Sequence, residues 1–307
     1  MKEKDFIKKY IKKKNNEYKY SLGFNDDVGV VNNYAYSTDT ISEDIHFFKD
    51  DDPDTIAKKL IRVNISDLIS KGVKPEFCLF NFCSGKIINK NWLDIFFKSF
   101  HQDLKKYNLK LIGGDTITTK KETLLNLTIF GSIKSRTIIK RSTAKFNDYI
   151  YVSGTIGDAF IGMNIKKKNI VFDNNDKKKL IARYNVPNPQ VQLTNLIKNN
   201  ANASTDISDG LLDDLNNICS SSNLGAEISF SAIPKSREVI KFLKVNKQFE
   251  KFILTGGDDY QLLFTGKKGL DKFKNITKIG RMTRKKEIKI IDKNFKNLLQ
   301  GYNHLLY

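Results

Sequence analysis

Six short turns along the chain set aspartate beside glycine, serine or threonine, each next to an apolar run. They are GFNDDVGVV (Asp26, Asp27), STDTISEDIHF (Asp39), VNISDLISKG (Asp67), LIGGDTITT (Asp115), STDISDGLLDDL (Asp206, Asp209) and LTGGDDYQLLF (Asp258, Asp259). Taken singly, each has a structural reading, because Asp and Ser cap helices and Gly-Gly-Asp suits a tight turn. Gathered in one place they would do chemistry. A like-charged pair about 4 Å apart costs roughly 4 kcal/mol at an effective dielectric of about 20. Converging carboxylates therefore call for cations, and an all-oxygen donor set suits magnesium. Glycine turns let backbone amides approach phosphate oxygens. Helices opening at SDL, SDG and GTIGDAF would present free amides at a positive dipole end. The chemistry expected is magnesium-dependent handling of a phosphate substrate.

The common nucleotide signatures are missing: no G-x-x-x-x-G-K-[ST], G-x-G-x-x-G, H-R-D or D-F-G occurs, which removes P-loop, dinucleotide-binding and protein-kinase readings. A Ser-Asp pair followed by Gly-Gly-Asp occurs in each half, Asp67 then Asp115 and Asp209 then Asp258, at nearly equal spacing. Two related halves facing one site, or coincidence, both account for it.

The elements that must position these turns are strands and helices intermingled, the pattern of an α/β or α+β fold. Alternating apolar residues predict strands at Val28–Val31, Tyr34–Ser37, Phe77–Phe82, Leu109–Ile112, Leu124–Ile133, Tyr149–Val152, Ala226–Phe230 and Tyr260–Phe264. Helical spacing predicts Thr55–Lys71, Asn91–Tyr107, Asp158–Lys166, Lys177–Tyr184, Pro189–Asn199 and Gly210–Ser220. The polar stretch Lys166–Lys179 reads as an exposed excursion. The 307 residues suit two domains, and the change near KRSTAKFND places them at 1–143 and 144–307.

A net charge of +19 raises the possibility of nucleic-acid binding. The lysines are scattered, however, in short runs such as Lys12–Lys14, Lys166–Lys168 and Lys177–Lys179 beside Asn and Asp. No helix-turn-helix, RNP or zinc-finger pattern accompanies them, so neither nucleic acid nor membrane is expected as a partner. The three cysteines, Cys78, Cys83 and Cys219, read as small core residues rather than a disulfide or zinc set. His101 reads as structural. The N-terminus lacks an apolar signal region, and cytoplasm is the expected location.

In order along the chain, STDT, VNISDL, LIGGDT, RSTAKFND, DISDGLLDDL and GGDDYQLLF resemble the thiamine-monophosphate kinases, within the superfamily of aminoimidazole-ribonucleotide synthetase and selenophosphate synthetase. The likeness runs from Gly23 to Tyr302. No cysteine precedes Cys78, which departs from the N-terminal reactive cysteine of selenophosphate synthetases. The resemblance implies a first domain whose strands pair across a homodimer, a second α/β domain, and ATP between them. It implies direct in-line transfer of the ATP γ-phosphoryl to the phosphate of thiamine monophosphate. By the same resemblance Asp27, Ser37, Thr38, Asp39, Asp67, Asp115, Asp206 and Asp209 are magnesium ligands. Gly114, Asp115, Arg141 and Ser208 contact ATP, and His46, Asp258 and Tyr302 hold the acceptor. Asp67, Asp209 and Arg141 would carry the catalysis. A phosphate acceptor is already deprotonated near neutral pH, so no catalytic base is required, and several Mg2+ ions would offset the repulsion between the two anions. Four positions depart from the family pattern: Asn25 and Asp44 stand where glycine is usual, Asp258 replaces a glutamate, and Leu305 replaces an aromatic residue.

Overall fold

The computed structural model describes residues 3–12, 19–85, 88–134 and 138–295. A short helix α1 (Glu3–Phe6) precedes strands β1 (Gly29–Val31) and β2 (Tyr34–Ser42). Asn32 and Asn33, both at positive φ (47° and 63°), turn this hairpin in the way a two-residue loop requires. Helix α2 (Pro53–Ser70) leads to β3 (Phe77–Ser84), helix α3 (Lys90–Tyr107) to β4 (Lys110–Thr118), and β5 (Leu124–Ser132) returns into the sheet. The strand order is β1-β2-β5-β3-β4, with only β3 and β4 parallel.

The second unit runs β6 (Tyr149–Ser153), α4 (Asp158–Lys167), α5 (Asn174–Asn185), α6 (Thr194–Asn200), β7 (Ala201–Asp206), α7 (Leu211–Ser222), β8 (Gly225–Ile228), α8 (Arg237–Val245), α9 (Phe252–Thr255), β9 (Leu262–Gly266), β10 (Ile276–Thr283) and β11 (Ile288–Ile290). Its sheet order is β11-β8-β10-β6-β9-β7. The class is mixed α/β, as the intermingled pattern indicates.

Helix α2 is the central element. The Asp52 carboxylate accepts from the Asp54 amide at 3.0 Å and Pro53 occupies the first turn, a strong start signal. It ends at Gly72, φ +72°, where the Val73 amide returns to the Leu68 carbonyl at 3.0 Å. It packs on β2 and β5, on α3, and on β7 of the second sheet, so polar residues along it are buried with the apolar ones. One of them, Arg62, pairs with Asp103 of α3 at 2.6 Å.

Strand alternation then ties the two units together. On β6, Ile150 and Val152 enter the second core while Tyr151 enters the first. On β9, Leu263 faces the second core while Leu262 and Phe264 face the first. The second sheet is therefore apolar on both faces, one of them meeting α2.

Several local expectations need correction. Ser66–Asp67 does not open a helix; it lies in the C-terminal part of α2. Gly113–Asp115 is not a turn but the middle of β4, which runs on to Thr118. A Cβ on Gly114 would lie 1.8 Å from the Phe80 carbonyl oxygen, so glycine here permits close strand approach. Strands β7, β10 and β11 and helix α8 were not expected at all. The ANASTD run of β7 has no apolar alternation, yet nearly all of it is buried because α2 covers it. Strand β10 is interrupted by a bulge between Lys278 and Gly280, which breaks the period-2 signal.

Candidate active site

The C-terminal part of α2, strand β2 and the turn at 26–28 line a cleft of about 920 Å³, and the end of β7 joins them behind it at Asp27 and Asp67. Alternation along β2 turns Ser37 and Asp39 toward α2. There the Ser37 hydroxyl donates to Asp67 Oδ2, and the Asp39 amide donates to Asn64 Oδ1 at 3.0 Å. Asp206 arrives as the last residue of β7. One carboxylate oxygen from each of Asp27, Asp67 and Asp206 lies within 4.8 Å of the others.

The electrostatics divide this cluster. Burial works to raise the Asp27 carboxyl, but Arg141 and Lys71 outweigh it and hold the group below its ordinary value. Burial pushes Asp67 well above the usual range, helped by the charges of Asp39, Asp206 and Asp27. Burial, and then Asp27, push Asp206 up to about 7. Asp206 Oδ2 has no hydrogen-bond donor among the described residues. The Ser66 hydroxyl is the neutral group that favours the charged form of this carboxyl, and it does not offset the burial; a cation would.

Asp209 and Ser208 line the same cleft, with Arg141 opposite. Arg141 donates to Asp27 Oδ1 through Nη2 and to Thr205 Oγ1 at 3.2 Å through Nε. The loop that carries Ser208 and Asp209 is locked to the Gly-Gly-Asp loop: the Asp258 amide donates to the Ser208 carbonyl at 2.9 Å, and the Tyr260 amide to Ile207 at 2.8 Å. The helix N-termini differ from expectation. The amides of Ser208, Asp209 and Gly210 all point to Asp214 Oδ2, at 3.1, 3.1 and 3.2 Å. Those of Gly157 and Ala159, at the start of α4, point to Asp259 at 2.6 and 3.1 Å. Both dipole ends already hold a buried carboxylate of the chain itself, so free amides at SDG and GTIGDAF are not what the cleft offers.

His46 and Asp258 come together around Lys59, a fully buried residue of α2. Its ammonium donates to the His46 carbonyl at 2.7 Å, lies 3.7 Å from Asp258 Oδ2, and stands 3.5 Å from the centre of the Tyr184 ring. Tyr184 Oη donates to the same His46 carbonyl at 3.0 Å. Tyr260 Oη donates to Asp258 Oδ1 at 3.2 Å, and Tyr260 also feels the charges of Asp39 and Asp206. It thus bridges the His46–Asp258 group and the acidic cluster. Asp44 has φ +64°, a conformation that glycine adopts freely and Asp tolerates. Asn25 has φ −122°, open to any residue.

Thr38 lines the cleft as well, with its hydroxyl bonded to Thr128 Oγ1 at 3.0 Å. Two residues stand apart. Gly114 and Asp115 lie on the exposed edge strand β4. Asp115 pairs with Asn81, which pairs with Asn126, which pairs with Thr40 of β2. Three strand spacings, about 14 Å, therefore separate it from β2. Tyr302 and Leu305 lie outside the described residues. Lys59, Lys71, Tyr184, Tyr260 and Asp214 were not expected. No sequence signal marks the first two as interior, since it is the packing of α2 and its C-terminal cap that buries them.

Two family models match the chain: the N-terminal domain of AIR synthase related protein over residues 25–133, and its C-terminal domain over residues 146–293. The thiamine-monophosphate kinase of Buchnera aphidicola (subspecies Acyrthosiphon pisum) is 35% identical, covering 97% of this chain and 96% of that protein. The chain belongs to the thiamine-monophosphate kinase family. Among solved structures, AaThiL complexed with AMPPCP and TMP superposes with a TM-score of 0.84 at 27% identity, over 92% of this chain and 91% of that one. A thiamine monophosphate kinase from Aquifex aeolicus gives 0.82 at 27% identity, over 88% and 92%. Among the described residues no helix is long and apolar enough to cross a membrane.

Proposed function

We propose that this chain phosphorylates thiamine monophosphate at the expense of ATP, giving thiamine diphosphate and ADP, in the cleft lined by Asp27, Asp39, Asp67, Arg141, Ser208 and Asp209. The observation that carries the reading is the cluster of Asp27, Asp67 and Asp206 within 4.8 Å, one bridging tyrosine away from the His46–Asp258 group. The solved neighbour bound to AMPPCP and TMP supports a site for two phosphate compounds.

A divalent cation fits the cluster on this chain's own chemistry. The donors are all oxygen, Asp206 Oδ2 is buried without a hydrogen-bond partner among the described residues, and burial first, then neighbouring carboxylates, raise the Asp67 and Asp206 carboxyls. Asp27, Asp67 and Asp206 would hold Mg2+, with Ser37, Asp39 and Asp209 as further oxygen donors at the rim. Bound there, Mg2+ supplies positive charge that draws two anionic phosphates together and stabilises the charge of in-line transfer. The protein supplies the rest. Arg141 offers a guanidinium to phosphate oxygens once it exchanges its bond to Asp27, and Ser208 lines the nucleotide side. Asp258 and His46 position the acceptor, and no residue need act as a base.

Lys59 donates to the His46 carbonyl and lies 3.7 Å from the part-buried Asp258 carboxylate, so Lys59→Met, which frees both, is expected to raise the KM for thiamine monophosphate about tenfold. The KM for ATP should stay within about twofold. Steady-state kinetics with each substrate varied will show it, and an unchanged acceptor KM would remove Lys59 and Asp258 from that role.

We also propose that the two domains meet at residues 143 and 144, a division compatible with the family-model matches over 25–133 and 146–293. Strand β4 is an exposed edge carrying Leu111, Ile112 and Ile117, a surface that pairs with another strand unless protected. Dimerisation through β4 would place Gly114 and Asp115 at the contact between the two subunits. The compartment assigned is the cytoplasm.

Incubating the protein with Mg2+, ATP and thiamine monophosphate should yield thiamine diphosphate and ADP, and folded protein that makes neither would overturn the function. Light scattering on the same preparation should return about twice the 35.2 kDa chain mass, whereas a single-chain mass would overturn the dimer.

A further inference from the structure

The acidic cluster holds a cation of the protein's own that the phosphoryl-transfer reading does not use. Lys71 caps the C-terminal end of α2, a position where the helix dipole favours positive charge. Its side chain is wholly buried, and its ammonium lies 2.6 Å from Asp26 Oδ1, 2.5 Å from Asp27 Oδ2 and 2.6 Å from the Ser204 carbonyl oxygen of β7. An ammonium has three donors, and here three acceptors surround it. The other oxygen of Asp27 is held by Arg141 and Thr205. Two cations of the chain thus face the two carboxylates Asp26 and Asp27. At the other end, Ser37 is the hydrogen-bond donor to Asp67, and Asp206 Oδ2 has none among the described residues. The cluster is neutralised by the chain's own cations at one end, and among the described residues no such cation pairs with Asp67 or Asp206 at the other.

We propose that Lys71 is a resident cation that stands in for one divalent ion at the Asp26–Asp27 end, leaving the Asp67–Asp206 end, with Asp27 shared between the two, as the place where Mg2+ is taken up. The inference rests on the reading of the cluster as a metal site. A water-filled alternative would not serve, because two buried carboxylates side by side need positive charge and not only hydrogen bonds. The arrangement also couples three elements to one atom, since Lys71 Nζ joins the 26–27 turn, α2 and β7.

The test is a comparison of wild type with Lys71→Met and Lys71→Gln, the second keeping a side-chain donor for the Ser204 carbonyl. Without divalent ions both variants should melt several degrees below wild type, and Mg2+ should restore most of that loss. Nucleotide-free titration with Mn2+ should show about one more ion bound per chain in the variants, or an existing site tightened at least tenfold. A merely structural lysine predicts a loss that Mg2+ does not repair and an unchanged Mn2+ titration, and either result overturns the proposal. So does failure of both variants to fold in saturating Mg2+, because the proposal requires that the ion replace the missing charge. If wild type itself binds no Mn2+ and its melting temperature ignores Mg2+, the metal reading falls. Binding by wild type with no change in the variants removes Lys71 alone.

Discussion

Asp67→Asn is expected to lower turnover about a thousandfold or more while raising the melting temperature of the metal-free protein. Both halves follow from where Asp67 sits. It lies in the C-terminal part of α2, where the negative end of the helix dipole disfavours a carboxylate. It is also buried beside Asp39, Asp206 and Asp27, which together push its carboxyl well above the ordinary range. An ionised group so placed works against folding, and the amide, equal in size, removes the charge while still accepting from the Ser37 hydroxyl. The same charge is what a divalent ion would use. Losing about 4 kcal/mol of transition-state stabilisation corresponds to roughly a thousandfold in rate. The measurements are kcat at saturating Mg2+ and a thermal melt in chelator. Near-normal turnover would mean the ion is held elsewhere, and a lower melting temperature would mean that Asp67 is a structural residue.

That opposition between stability and chemistry explains how much of the site was legible in the sequence. The carboxylates themselves can be picked out without a structure, although Asp39, Asp67 and Asp115, read as turn residues, lie in β2, α2 and β4. Strands β3 and β5 could be placed from their alternation, whereas β2 was expected to stop at Ser37 and runs on to Ser42. Helix α3 was equally plain, because Trp92, Phe96 and Phe100 recur on one face and stack against each other and against Phe80 of β3. Long-range compensation left no such trace. Nothing near Asp259 says that it caps α4 a hundred residues earlier, or that Asp214 turns back on the amides of its own helix start. Lys59 and Lys71 look like two more lysines in a chain with a net charge of +19, and only the packing of α2 between two sheets makes them interior cations. Strand β7 escaped for the same reason: its small polar residues are buried by tertiary contact, not by pattern.

The stability of the metal-free protein is expected to fall as pH rises from about 5 to 8, and Mg2+ should flatten much of that slope. Asp206 carries the sign. Its carboxyl moves from an ordinary 3.8 to about 7 in the folded chain, mainly through burial and then the charge of Asp27. Between those values the folded protein holds a proton that the unfolded chain has released, so unfolding becomes easier as pH increases. The cost is absent below about pH 4, grows through pH 7 and is then constant, with a size on the order of 4 kcal/mol. Asp67 moves in the same direction. Asp27 has the opposite shift, but its contribution is lost only as pH falls below its ordinary range, so it adds no slope between pH 5 and 8. Asp214 and Asp259 are also raised, by burial first and then by Asp209 and Asp158 respectively, and they will leave a residual slope that Mg2+ at the cluster does not remove. The difference between urea-unfolding curves taken in chelator and in Mg2+ across this range therefore isolates Asp67 and Asp206. Asp206→Asn should shrink that difference. Parallel curves in the wild-type protein would show that the ion does not displace protons from these carboxylates, and the cluster would lose its place as the metal site.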